Sequence, residues 1–320
     1  MSNEFDIIKK YFSEFPQRSD VILGVGDDAA ILQPPKGHDL VITTDTLISG
    51  VHFPEQTSAE SIGHKSLAVN LSDLAAMGAK PLWFTLALTL PEADSEWLSD
   101  FSQGLKNLAA RYQVALVGGD TTRGPLSITI QACGSVPEGR AVRRSGASPG
   151  DDIYVTGTLG DAGFGLASVQ GKIKLSDADR IFCERKLNHP EPRVSAGMGL
   201  LTLATAMIDC SDGFAADLGH ILEQSKNGAE VQIKKLPLST PVKNALEKQN
   251  DYSFPLAAGD DFELIFTASP ESRNEIAALE DVLDCSITWV GKITQKPGLL
   301  LREKSGELYN LKKTGYQHFE

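Results

Sequence analysis

The chain has 320 residues, 42 of them acidic and 30 basic, for a formal net charge of −12. Hydrophobic residues make up 41% and charged residues 22%, an ordinary globular balance that excludes disorder, collagen or a coiled coil as the main description. At roughly 100–200 residues per domain the length predicts two domains. The acidic balance argues against a nucleic-acid partner, which favours a basic face, but not against phosphate ligands, because bound cations reverse the local sign.

The opening MSNEFDIIKK puts acids ahead of its lysines and has no long apolar run, so no secretory leader is expected. The longest uncharged stretch, 194–208, is shorter than the ~18–20 residues a membrane span needs. The four cysteines lie far apart without a CxxC pair. They predict reduced thiols in a cytoplasmic protein, with neither a zinc site nor a disulfide framework.

In chain order, 39–45 (DLVITTD) reads as a strand. Residues 58–77 read as a helix opened by Thr57 or Ser58 and stopped by Gly78. The β-branched and aromatic run 83–90 predicts a strand, and 94–112 an amphipathic helix opened by Asp94 or Ser95. Residues 114–120 (VALVGGD) read as a short buried strand closed by a glycine turn, and 126–136 as the next strand. A turn-rich, basic stretch, 137–152, marks the domain boundary, giving domains 1–137 and 138–320. Beyond it, DIYVTG opens a second mixed layer. Helices are expected at 160–170, 177–187 and 192–206, then a short strand, a turn and a helix from near Asp212. Strands EVQIKKL, ELIFTA, ITWVGKI and GLLLRE follow, with helical pieces near 241–249 and 270–280. The fold class is α/β (α+β) in two domains, helices layered on sheets.

The informative pattern is where the aspartates fall. Apolar, strand-like runs end in Asp45, in Asp120, in Asp209 and Asp212, and in Asp260 and Asp261, and a further pair, Asp27-Asp28, sits in the glycine turn LGVGDDAAI. Ligands of α/β sheets gather at strand ends. Carboxylates delivered there repel one another unless a cation joins them, and oxygen donors select a hard ion such as Mg²⁺. Plain turn chemistry accounts for any one of these positions. Asp73 is sharper. It is the sole charge in the neutral run 66–79, on a helix whose Leu67, Leu71 and Leu74 predict burial, and a buried carboxylate needs a partner or a metal. Ser66 and Asn70 share its side of the helix, and Lys65 is read as a solvated or phosphate-facing charge. His52, seven residues after Asp45, is brought to the same loop. GxxxxGK[ST], GxGxxG, HRDxxxxN, HExxH and GxSxG are all absent.

Taken together, GVGDDAA (24–30), TTDTLISGVHF (43–53), KSLAVNLSDLAAMGAKP (65–81), GGDTTRG (118–124), RRSGASPGDDIYVTGTLGDAGFGL (143–166), IDCSDGFAADLGH (208–220) and GDDFELIF (259–266) resemble the thiamine-monophosphate kinases. The resemblance runs in order from about residue 4 to the terminal GYQHF. The wider superfamily includes aminoimidazole ribonucleotide synthetase and selenophosphate synthetase; the reactive Cys or selenocysteine near the N-terminus of the latter has no counterpart before Cys133.

The resemblance implies transfer of the γ-phosphoryl of ATP to thiamine monophosphate, giving thiamine diphosphate and ADP. It implies several Mg²⁺ ions, K⁺ as a possible activator, and no catalytic side chain beyond metal assistance. It also implies a homodimer whose N-terminal domains pair into a β-barrel, with active sites between N- and C-terminal domains. Asp28, Thr43, Thr44, Asp45, Asp73, Asp120, Asp209 and Asp212 match the metal positions. Gly119, Asp120, Arg144 and Ser211 match the nucleotide positions. His52, Asp260 and Tyr316 match substrate positions. One departure stands out: the family's Gly-Gly-Glu-Asp-Tyr-Glu-Leu reads Ala258-Gly259-Asp260-Asp261-Phe262-Glu263-Leu264 here, so the acid at Asp260 is one methylene shorter. Two other classes stay open. Another ATP-dependent synthetase of the superfamily would consume ATP without forming thiamine diphosphate. A divalent-binding scaffold would bind metal but not nucleotide.

Overall fold

A computed structural model describes residues 4–249, 251–283 and 285–318, so Phe319 of the terminal GYQHF lies outside the described residues. The chain divides into two compact units, one of residues 1–74 and 79–139, the other of 75–78 and 140–320.

The first unit opens with helix α1 (Glu4–Tyr11) and a small antiparallel pair, β1 (Val21–Leu23) with β2 (Ile31–Leu32), none of which the sequence reading foresaw. Then come β3 (His38–Ile48), α2 (Ala59–Ala76), β4 (Lys80–Leu90), α3 (Ser95–Tyr112), β5 (Ala115–Arg123) and β6 (Ser127–Pro137). They build a four-stranded sheet in the order β3-β6-β4-β5, antiparallel except for the parallel β4–β5 pair. Asp94 caps α3 as expected, its carboxylate accepting from the N–H groups of Glu96 and Trp97. The glycine pair at 118–119 departs from expectation: it continues β5 rather than ending it, with Gly119 opposite Leu86 on β4. A Cβ on Gly119 would stand 1.9 Å from the Leu86 carbonyl oxygen, so only glycine lets the two strands approach. Helices α2 and α3 touch through glycines in the same way. A Cβ on Gly63 would meet the Phe101 carbonyl oxygen at 2.1 Å, and one on Gly104 that of Glu60 at 2.0 Å.

Side chains along β3 alternate. Thr43 and Asp45 are half-buried and Leu47 is buried, while Leu40, Ile42, Thr44, Thr46 and Ile48 are exposed.

The second unit contains β7 (Asp152–Thr156), α4 (Asp161–Val169), α5 (Asp177–Asn188), α6 (Val194–Gly199), β8 (Ala204–Asp209), α7 (Phe214–Ser225), β9 (Gly228–Gln232), α8 (Thr240–Gln249), α9 (Ser253–Ala257), β10 (Leu264–Ala268), α10 (Arg273–Glu280), β11 (Ile287–Thr294) and β12 (Gly298–Arg302). Its six strands run in the order β12-β9-β11-β7-β10-β8. Ile153, Val155, Ile208, Ile265 and Val290 from the sheet meet Phe214, Leu218 and Ile221 of α7 in a common core. The helix expected over 192–206 ends early. It stops at Gly199, passes through a 3₁₀ turn (Leu200–Thr202) and becomes strand β8. Glycine at 197 and 199 weakens the helix, and pairing of β8 with β10 claims the residues from Ala204 on.

Candidate functional site

In the first unit, α2 places Asp73 opposite the inward face of β3. The Thr43 hydroxyl donates to Asp73 Oδ2. Asp45, two residues along the same face, lies beside Asp73. Burial, then the charge of Asp73, then a hydrogen bond shared with it push the Asp45 carboxyl up to about 7. This is two acids forced together with a single proton able to relieve them. A divalent ion relieves them equally well, and carboxylate and hydroxyl oxygens are the donors Mg²⁺ takes. The residues therefore fit the ion the resemblance implies. Period-two alternation puts Thr44 on the opposite, exposed face, where its hydroxyl accepts from Gln131 Nε2 at 3.4 Å. The Thr44 side chain is thus not brought to Thr43, Asp45 and Asp73. Ser66 donates to the Ile62 carbonyl and Asn70 to the Ser66 carbonyl, within α2. Lys65 is 3% exposed, which overturns its reading as a solvated charge.

A cavity of about 370 Å³ in this unit is bounded by Asp27, Asp28, Gly118, Gly119, Asp120 and Thr121, with Ile8, Phe12, Leu86 and Leu116 as its apolar part. It gathers Asp28, Gly119 and Asp120 from the sequence set and adds Glu4 of α1. His52 sits in the turn after β3, where its Nδ1 accepts from the Ile48 N–H at 3.0 Å. That bond leaves Nε2 to carry the ring proton.

In the second unit three segments meet at the end of β8. Asp209 closes the strand and is 3% exposed. The Ser211 carbonyl accepts from the Asp260 N–H at 2.8 Å, and the Asp212 carbonyl from the Tyr316 N–H at 3.0 Å. Just beyond Asp209, Ser211 and Asp212 are thus joined through the backbone to Asp260 and Tyr316. Close approach again depends on glycine: a Cβ on Gly259 would stand 2.4 Å from the Ser211 oxygen. Arg144 is exposed, and its carbonyl accepts from Ser225 Oγ at 3.3 Å while the neighbouring Arg143 carbonyl accepts from the Met207 N–H on β8. Among the described residues no three His, Cys, Asp or Glu side chains converge as a ready-made metal cage.

Two further carboxyls shape this loop: Asp217, which the sequence reading missed, and Asp261, which it named only as one of the strand-ending acids. Asp217, on the first turn of α7, accepts from the N–H groups of Asp212 and Gly213 at 3.1 and 3.0 Å. Burial, then the charge of Asp212, push its carboxyl up to about 7. Asp261 accepts from the N–H of Gly160 at 2.7 Å and of Ala162 at 3.4 Å. Its residue keeps some exposed surface, but its carboxyl turns inward, and burial holds it well above the usual carboxylate range. The signal for Asp217 lies in DGFAADL, an acid five residues beyond Asp212.

The family model for the AIR synthase related protein N-terminal domain matches residues 26–136, and that for the AIR synthase related protein C-terminal domain matches 148–302. Thiamine-monophosphate kinase of Escherichia coli is 44% identical over 318 residues, spanning 99% of this chain and 98% of that protein. The same enzyme of Haemophilus influenzae is 42% identical over 323 residues, with 99% and 98% covered. The crystal structure of thiamine-monophosphate kinase from Stenotrophomonas maltophilia matches with a TM-score of 0.85 at 46% identity, covering 92% of this chain and 93% of that one. AaThiL complexed with AMPPCP and TMP matches with a TM-score of 0.79 at 28% identity, covering 98% and 96%. Hydrogenase maturation protein HypE in complex with ATP, at 20% identity and a TM-score of 0.79, shares the fold. On similarity over nearly its full length, this chain belongs to the thiamine-monophosphate kinase family.

Proposed function

We infer that this chain is an ATP-dependent kinase that phosphorylates thiamine monophosphate, giving thiamine diphosphate and ADP. The observation that carries the reading is the Asp45–Asp73 pair with Thr43, set in a chain similar along nearly its whole length to thiamine-monophosphate kinases. The relative complexed with AMPPCP, an ATP analogue, and TMP supports both substrates.

The acceptor is a phosphate oxygen of thiamine monophosphate. A phosphate monoester has a second pKa near ~6 and is already ionised at neutral pH, so no side chain has to remove a proton. The task left to the protein is to hold two anions close and in line. We propose that Asp28, Asp45, Asp73, Asp120, Asp209 and Asp212, with the oxygens of Thr43 and Thr44, hold Mg²⁺; Thr44 would do so through its main chain. Bound Mg²⁺ would supply charge neutralisation between donor and acceptor. Gly119, Asp120, Arg144 and Ser211 would orient the nucleotide, and His52, Asp260 and Tyr316 the acceptor. The apolar part of the 370 Å³ cavity offers a wall for a base, beside the acids that suit cation-bound phosphates. K⁺ is proposed as an activator.

We further propose a homodimer in which the N-terminal sheets of two copies complete a barrel. Within one chain that sheet is open, and it leaves Leu40, Ile42 and Ile48 of β3 exposed. In this reading residues 1–137 bind metal and nucleotide and dimerise, and 138–320 close over the reactants. No described helix is long and apolar enough to cross a membrane, and all four cysteines are free thiols, which supports the cytoplasm as the compartment.

The deciding experiment incubates the pure protein with ATP, Mg²⁺ and thiamine monophosphate. Stoichiometric thiamine diphosphate and ADP are expected. ATP consumption without thiamine diphosphate would assign the chain to another reaction of the superfamily.

The Asp45 carboxyl gives a pH test. Its folded value, about 7, lies above the ordinary 3.8, so in the metal-free chain the stability that Asp45 contributes falls as pH rises from about 4 to 7 and is level above that. Mg²⁺ has to displace the proton. Its dissociation constant is therefore expected to rise about tenfold per pH unit below 7, with thermal stabilisation by Mg²⁺ larger at pH 8 than at pH 6. Calorimetry at the two pH values checks this; a flat Mg²⁺ affinity would remove Asp45 from the ion's shell.

A further inference from the structure

We propose that Asp261 is a positioning residue for the acceptor-side acid Asp260, anchoring the loop that presents it. This rests on the reading that Asp260 meets thiamine monophosphate.

The backbone from Gly259 to Phe262 is unusual. Gly259 has φ +74°, Asp260 +62° and Phe262 +50°, so two residues with side chains occupy the left-handed region within three positions. Such a segment persists only where its surroundings over-determine it. Here the main chain is fixed on both sides of Asp261. The Asp260 N–H donates to the Ser211 carbonyl at 2.8 Å and the Phe262 N–H to the Cys210 carbonyl at 2.9 Å. Between them, the Asp261 carboxyl reaches across to the first turn of α4 and takes the N–H groups of Gly160 and Ala162. That turn is itself closely packed. Gly160 has φ +88°, and a Cβ there would stand 2.9 Å from the Pro255 nitrogen. Downstream, Phe262 and Leu264 are buried, so the chain is held again at the start of β10.

Loss of the Asp261 carboxyl would therefore free one step of this loop without opening the core. Asp260 would drift out of its left-handed setting, and its carboxylate would miss its target. The departure at Asp260 sharpens the effect. A side chain one methylene shorter than the family's Glu has less reach to make up for a displaced backbone. A residue that only stabilised the fold would leave substrate affinities untouched.

The test uses the full chain and separate Michaelis constants for the two substrates. Asp261→Ala is expected to raise KM for thiamine monophosphate at least about tenfold while KM for ATP stays within twofold. Asp261→Asn keeps an acceptor for the Gly160 N–H but turns an amide towards the Ala162 N–H, and is expected to raise it about threefold. Ser176→Ala, which removes the α5 cap accepting from the Asp179 N–H, lowers the melting temperature and is expected to move neither constant. KM for thiamine monophosphate within twofold of wild type in both Asp261 variants would overturn the proposal, as would equal rises for both substrates. If the alanine variant does not fold, the asparagine variant decides by the same criterion. Wild-type protein that forms no thiamine diphosphate would instead sink the underlying reading, and the proposal with it.

Discussion

Asp73→Asn is expected to leave the chain folded and to lower turnover at least about 100-fold. The amide is the same size as the carboxyl, and its oxygen still accepts from Thr43, so the bond between β3 and α2 survives. What disappears is one charge of the Asp45–Asp73 pair. The stability effect is small or favourable, because the like-charge contact that raises the Asp45 carboxyl is relieved. The catalytic effect is large. Neutralising the repulsion of donor and acceptor contributes several kcal/mol to such transfers, and each ~1.4 kcal/mol is tenfold in rate. Steady-state assays at saturating Mg²⁺, with thermal melting as control, check it. Near-normal turnover would return Asp73 to a structural role.

Arg193→Ala is expected to cause the largest loss of stability outside the apolar core. Its guanidinium forms a fork with Glu263, with Nε and Nη2 each 2.6 Å from a carboxylate oxygen. Thr156 Oγ1 donates to the same carboxylate at 2.8 Å and accepts from the Leu264 N–H, so the pair is tied into β7 and β10. Glu263 is 1% exposed. Removing the arginine strands a buried charge, which costs about 3–5 kcal/mol. For a unit of this size that lowers the melting temperature by about 10 °C, at roughly 2–4 °C per kcal/mol. Arg193→Met combined with Glu263→Leu should melt higher than Arg193→Ala, because no charge is left unpaired. A double variant no more stable than the single one would show that shape, rather than charge, is what the pair supplies.

The contrast between these two residues shows what was legible beforehand. Asp73 announced itself: a lone acid in an apolar helix is a local anomaly, and the sequence displays local anomalies. The strand-ending aspartates were visible for the same reason. Arg193 and Glu263 are 70 positions apart, and nothing near either one hints at the other. Asp217 was missed, and Asp261 was seen only as a strand-ending acid. They point at backbone N–H groups, and that pairing exists only once α7 and α4 have formed. That the Thr44 side chain faces away from Asp45 was not legible either, because residue identity does not reveal which face of β3 points inward. The glycines at 118–119 looked like a turn, since glycine permits one. Contact with Leu86 decides otherwise, and that contact is tertiary. The fold class needed only the alternation of strand and helix patterns, which is why it emerged from the sequence while these pairings did not.

The seam between α2 and α3, where Gly63 and Gly104 each lie against a carbonyl of the other helix, also limits how this protein can be hardened. Exchanging a mid-helix glycine for alanine ordinarily stiffens a helix by about 1 kcal/mol. At Gly63 and Gly104 that route is closed, because the added methyl would drive the neighbouring helix backbone away. Gly219 of α7 has open space where its Cβ would go. An engineer seeking a heat-tolerant form would begin there and leave the seam alone.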